Sequence, residues 1–194
     1  MSKAEQTKAF IIEKVAPVFN KKGYAGTSIT DITAATGLTK GSIYGNFENK
    51  DEVAIAAFDH NLKKVNSIFK NEIAKEKSAK NKLQTYIKVY ENFARYSFPE
   101  GGCPILNTSI EADDTHPVLK QRAADAITGW KKSISEIIKK GIAEKEFDKA
   151  TNADQVAITI IAMLEGSLMI SGATGKPQYK NAVMRSLENM IDRL

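Results

Sequence analysis

Gly23–Lys50 reads GYAGTSITDITAATGLTKGSIYGNFENK, and this stretch decides the fold. It contains two short helical segments joined at a glycine. Thr27 and Ser28 open the first. Ser28 and Asp31 have capping-box spacing, in which a hydroxyl accepts an orphan helix N–H and the acid returns a bond. Gly37 turns the chain, because glycine enters the left-handed region without a Cβ penalty. Thr39 then caps a second segment, Lys40 to Asn46. Ile29, Ile32, Leu38, Ile43 and Phe47 are the apolar positions that lock these segments to a longer helix before them. Thr39, Lys40, Ser42, Tyr44 and Asn46 are left facing outward, and no Asp or Glu lies between Asp31 and Glu48. Short donors, one cation and a phenol suit a nucleic-acid groove, where an acid would be repelled.

Helical periodicity continues on both sides, and no run alternates with period two. The preceding helix is expected over 3–22, with Ile12, Val15, Ala16 and Phe19 on one apolar face. Pro17 removes a backbone donor and predicts a bend near 13–17. Gly23 stops the helix. Asn49 with Glu52 starts a fourth helix running to about Lys75. A lysine-rich connection, Lys70–Lys82, precedes a fifth over 79–97, striped by Tyr86, Tyr90, Phe93 and Ser97. Pro99–Gly102 breaks the chain. Further helices are expected over 104–112, from Thr115 or Pro117 to about 143, and over 152–172 and 177–193. The expectation is an all-α protein of about nine helices. Residues 1–50 form an N-terminal three-helix helix-turn-helix domain, and residues 51–194 a C-terminal helical ligand-binding and dimerisation domain.

Several motifs in residues 7–52 come in a fixed order. They are the Thr27-Ser28 start, the DI at 31–32, the G-L-T turn at 37–39, and K-G-S-I-Y-x-x-F-x-x-K at 40–50. In this order they resemble the DNA-binding domain of TetR-family regulators. The resemblance implies a regulator, repressor-like, that binds a palindromic double-stranded operator as a homodimer and is released by a small-molecule effector. It places Thr27 and Ser28 against phosphate and Thr39, Lys40, Gly41 and Ser42 in the groove. Tyr44 would contact phosphate or a base edge, and Lys50 backbone phosphate. Where the family often has Tyr or His, this chain has Gly45 and Asn46. Gly45 offers no ring, whereas Asn46 can bond phosphate or adenine. The segment GGCPILNTSIEADDTHP, residues 101–117, is similar to one found in a subset of the same family.

The dimer surface implied for the last two helices draws on Ile158, Ile161, Ala162, Glu165, Leu168, Met169, Val183, Met184, Leu187 and Ile191. Glu165, isolated in an apolar helix, must be paired or protonated if buried, and a partner across the dimer is expected. The implied effector pocket lies in 79–171. Tyr86, Tyr90, Phe93, Cys103, Leu106, Ile110, Trp130 and Met163 would line it and take a partly apolar ligand.

Composition agrees with this reading without deciding it. The net charge is +5, and residues 1–50 carry seven Lys against four acids. A single cysteine excludes an intramolecular disulfide and any multi-Cys metal site. His60 and His116 lie far apart, so neither a metal nor a cofactor is expected. Gly172–Lys176 has the wrong spacing for a phosphate loop and is expected to be a plain loop. An enzyme is the remote alternative, and the nearer one is a helical protein-interaction module without DNA binding. No secretory signal is visible, and the apolar run 156–170 is too interrupted to span a bilayer. A cytoplasmic protein is expected.

Overall fold

The computed structural model describes residues 2–194 and consists of helices joined by turns. They are α1 (Lys3–Gly26), α2 (Ile29–Thr36), α3 (Lys40–Tyr44), α4 (Lys50–Ile73), α5 (Ala79–Glu91), α6 (Pro104–Glu111), α7 (Pro117–Ala143), α8 (Ala153–Thr174) and α9 (Pro177–Asp192). The all-α expectation and its count of about nine helices hold for the described residues.

The helix starts follow from the local sequence. Ser2, Ser28, Thr39, Ser78 and Asn152 each accept a backbone N–H from the first turn that follows. Ser28 and Asp31 form both bonds of the capping box. Asn49 accepts from the Glu52 N–H at 2.9 Å and so opens α4. Pro104 and Pro117 stand at first helical positions, where the missing N–H costs nothing.

Three local expectations change. α1 passes Pro17 in helical geometry and departs from it only at Gly23, with φ 73°. Glu13, whose carbonyl loses the proline's donor, is exposed to water. α5 stops at Glu91 rather than near 97, and Asn92–Ser97 form turns ending in positive φ at Ser97. α8 runs through Thr159, Glu165 and Gly166 to Thr174, taking in most of the expected 172–176 loop; Gly175 caps it. Its 22 residues are long and apolar enough to cross a membrane by length and composition alone, yet Ala157, Ile160, Ile161 and Leu164 are buried in the chain's own core.

The chain divides into two compact units. One takes residues up to Val65 together with Pro99–Ala124; the other takes Asn66–Phe98 and Asp125–Leu194. The expected boundary at 50/51 is therefore not where the packing divides. The first unit has a core of Ile11, Val15, Ile32, Ile43, Phe47, Val53 and Ala57, each at most 2% exposed. Side-chain bonds to backbone extend it. Asn61 Nδ2 donates to the Ala16 carbonyl at 2.9 Å, which binds the middle of α4 to α1. Asn107 Nδ2 donates to the Asn20 carbonyl at 2.9 Å, which binds α6 to α1 as well. The second unit buries Leu83, Ile134, Ile138, Ile160, Leu164 and Leu187. It also holds an aromatic cluster, with Phe69 stacked on Tyr86 at 4.7 Å and Trp130 about 6 Å from Phe69, Tyr86 and Tyr90.

Candidate nucleic-acid interface

α3 is five residues long and too short to stand alone, so packing must hold it. Ile43 at 0% and Phe47 at 2% exposure anchor its inner side, and Ile32 of α2 is equally buried. Gly37, with φ 69°, provides the left-handed turn from α2 into Leu38. Thr39 caps α3 by accepting the Ser42 N–H at 3.2 Å. This anchoring leaves Thr39, Lys40, Gly41 and Tyr44 exposed, with Ser42 and Asn46 half-buried beside them. Lys40 Nζ lies 5.9 Å from the Tyr44 ring centre, within cation–π range. Among the described residues, Lys40 pairs with no acid. Asn46 donates through Nδ2 to the Ser42 carbonyl at 2.9 Å, a bond that does not use its amide oxygen.

The flanks of this face carry acids that are already neutralised. Asp31 accepts from Lys22 Nζ at 2.6 Å and from the Ser28 N–H at 2.9 Å, and these bonds hold its carboxyl well below the usual carboxylate range. Glu52 accepts from Lys8 Nζ at 2.6 Å and is lowered in the same way. Asp31 and Glu52 are therefore paired within the chain, while the lysine on α3 is not.

Two expected phosphate contacts take on internal work. Thr27 is fully buried, and its hydroxyl donates to the Gly23 carbonyl at 2.6 Å, closing the corner between α1 and α2. As placed, its side chain faces the chain's own corner rather than solvent, whereas Ser28 is exposed at the helix start. Lys50 Nζ donates to the carbonyls of Tyr24 at 2.8 Å and Thr27 at 3.0 Å and lies 4.2 Å from the Tyr24 ring centre. It staples the same corner to the start of α4 and keeps one N–H of its three for anything outside. Tyr24 donates its hydroxyl to Asp51, and that bond raises its pKa to about 12.

The remaining expected residues separate into groups. Tyr86 and Tyr90 are buried with Trp130 in the aromatic cluster, and Phe93 stacks on Phe98 at 3.9 Å. Met163 is half-buried in the same unit, whereas Cys103 and Leu106 belong to the other. Ile110 is 64% exposed and lines no enclosed site as placed. Glu165 accepts the Tyr90 hydroxyl through Oε1 at 2.7 Å, which gives this acid a partner within its own chain. Ile161, Met184, Leu187 and Ile191 are packed inside the chain at 6% exposure or less and are not free to form a dimer surface. Ile158 and Met169 are 45% and 52% exposed, Ala162 is exposed, and Leu168 and Val183 are half-buried. Sequence reasoning missed Lys22, Tyr24 and Glu111. Only the similarity of 101–117 to a family segment pointed toward the last.

Residues 79–187 match the model of the tetracyclin repressor-like C-terminal domain, and residues 11–57 that of bacterial regulatory proteins of the tetR family. The chain belongs to the TetR family. It is a helix-turn-helix transcriptional regulator that binds DNA, and the exposed face of α3 falls inside the matched N-terminal region. A TetR-family regulator from Cytophaga hutchinsonii superimposes with a TM-score of 0.94 at 52% identity, covering 98% of this chain and 96% of that one. A TetR regulator from Chloroflexus aurantiacus gives 0.91 at 38% identity, with the same coverage of both chains. The transcriptional repressor DhaR of Mycobacterium sp. strain GP1 is 24% identical over 164 residues, 82% of this chain and 79% of that protein.

Proposed function

We propose that this TetR-family protein binds a palindromic operator as a homodimer through Thr39, Lys40, Gly41, Ser42, Tyr44 and Asn46 of each protomer. Ser28 and Lys50 touch phosphate at the edges. The observation that carries the proposal is the acid-free, outward side of α3, held in place by the burial of Ile43 and Phe47. One recognition helix reads only a few base pairs; two copies about 34–36 Å apart read half-sites one turn apart.

Homodimerisation is supported by a stripe on α8 and α9. Ile158, Ala162, Met169 and Ile170 are exposed on α8, as is Tyr179 on α9, on sides that the chain's own core does not use. A Cβ added at Gly166, in the same stripe, would meet nothing within 4 Å, so another helix has room to approach there. An unshielded apolar stripe on a long helix marks an interaction surface. This surface is narrower than the sequence alone suggested.

A partly apolar effector is supported by the Phe69, Tyr86, Tyr90 and Trp130 cluster with Glu165 beside it. Its binding lowers operator affinity by its preference for the DNA-free state, typically about 1–3 kcal/mol of coupling. DhaR bears the name of a repressor, and repression is the proposed outcome here. The protein acts in the cytoplasm as a binding protein without catalytic chemistry. Residues 1–50 remain the DNA-reading part and 51–194 the part for effector and dimer, although α6 packs with the former.

Fluorescence anisotropy on a duplex selected from a random library tests the DNA reading. Affinity should fall steeply and log-linearly with salt, because each neutralised phosphate releases counterions. Weak binding that is flat with salt would favour the interaction-module alternative.

A further inference from the structure

The α1–α2 corner, residues 23–27, is held from two sides. Lys50 grips its carbonyls from α4. Opposite, the Glu111 carboxylate at the end of α6 accepts the Tyr24 N–H through Oε2 and the Ala25 N–H through Oε1, each at 2.8 Å. Two successive backbone N–H groups converge on one carboxylate, one to each oxygen. Such convergence requires the positive φ of Gly23, which turns the chain out of α1 and aims both N–H groups the same way. Any side chain at residue 23 would fall on that carboxylate.

α6 is itself fixed to α1. Asn107 bonds the carbonyls of Asn20 and Gly101, and Asn20 Nδ2 donates to those of Glu100 at 2.7 Å and Gly102 at 2.9 Å. Gly101, Gly102, Asn107 and Glu111 all come from the 101–117 segment, for which DNA reading has no direct use. α2 begins two residues past the corner and carries α3 through Ile32 and Ile43.

We propose that Glu111 is a positioning residue for operator binding: its carboxylate seats the corner and thereby sets the direction in which α2 and α3 leave α1. An acid suits this place. Bonds from N–H to a charged acceptor are stronger than to a neutral one, and a carboxylate offers two equivalent acceptors where an amide offers one. The proposal rests on α3 being the DNA-reading element.

The test compares wild type, Glu111→Gln and Glu111→Asp as full-length proteins. Glutamine keeps the length and loses one acceptor; aspartate keeps the charge and falls one methylene short. Both variants should lose about tenfold in affinity for the selected duplex, with an unchanged salt slope because no phosphate contact is removed. In 15N-labelled protein the Tyr24 and Ala25 amide resonances should move upfield, while those of Val53 and Ala57 stay. Loss of affinity in the Gln variant alone would mean that charge, not position, matters, and would overturn the proposal. So would wild-type affinity in both variants, or unmoved Tyr24 and Ala25 amides. Failure of the wild type to bind any duplex would instead overturn the DNA reading, and the amide shifts would still report on the clasp.

Discussion

Lys50→Met removes the ammonium that serves two carbonyls at the α1–α2 corner and covers the Tyr24 ring, while leaving an apolar stem of similar length. A hydrogen bond to a charged group is worth about 1.5–3 kcal/mol. A cation–π contact at a partly exposed site adds about 0.5–1 kcal/mol. These do not sum fully, since Lys50 is half-buried and water can reach part of the vacated corner. A net loss of about 2 kcal/mol is expected. For a protein of this size each kcal/mol lowers Tm by about 2–4 °C, so the variant should melt about 4–8 °C below wild type by circular dichroism. Because two of the three N–H groups are turned inward, the salt slope of operator binding should fall by clearly less than the roughly one unit of a plain phosphate contact. A Tm within about 1 °C of wild type, with the slope down by a full unit, would refute the staple and return Lys50 to the role of a plain phosphate contact.

Lys40→Ala should weaken operator binding and reduce the salt slope by about one, with helicity and dimer mass unchanged; unaltered affinity would remove Lys40 from the interface. Thr27→Val leaves the Gly23 carbonyl without its donor and should cost about 1–3 kcal/mol in urea unfolding; Thr27→Ser should restore most of it. The raised Tyr24 pKa sets an alkaline window. The folded state favours the protonated phenol, so the stabilisation is complete below the ordinary value of 10.0 and is lost as pH rises through about 12. Unfolding curves taken across that range should fall less steeply for Tyr24→Phe than for wild type. Met169→Glu should shift the sedimentation of the protein toward monomer, and an unchanged mass would place the dimer surface elsewhere.

Much of the fold was legible because the local signals agreed with one another. Ser28, Asp31, Gly37 and Thr39 each specify a turn or cap within three or four residues, and the structure uses each of them so. The outward side of α3 was legible for the same reason: its inner positions are Ile43 and Phe47, and the pattern leaves the rest no other direction. Long-range bonds were not legible. Nothing near Thr27 in sequence says that its hydroxyl turns back to Gly23, or that Lys50 and Glu111, 61 residues apart in number, grip one corner from opposite sides. Apolar stripes on α8 and α9 likewise do not state which residues meet the chain's own core. Ile161, Met184, Leu187 and Ile191 do, and Ile158 and Met169 do not.

The most direct measurement of the central claim is a titration of 15N-labelled protein with the selected duplex, followed at the backbone amides of residues 39–46. Those signals should shift or broaden first and most strongly, at one duplex per two protomers. If the duplex binds while they stay in place and another surface responds, α3 is not what reads the DNA.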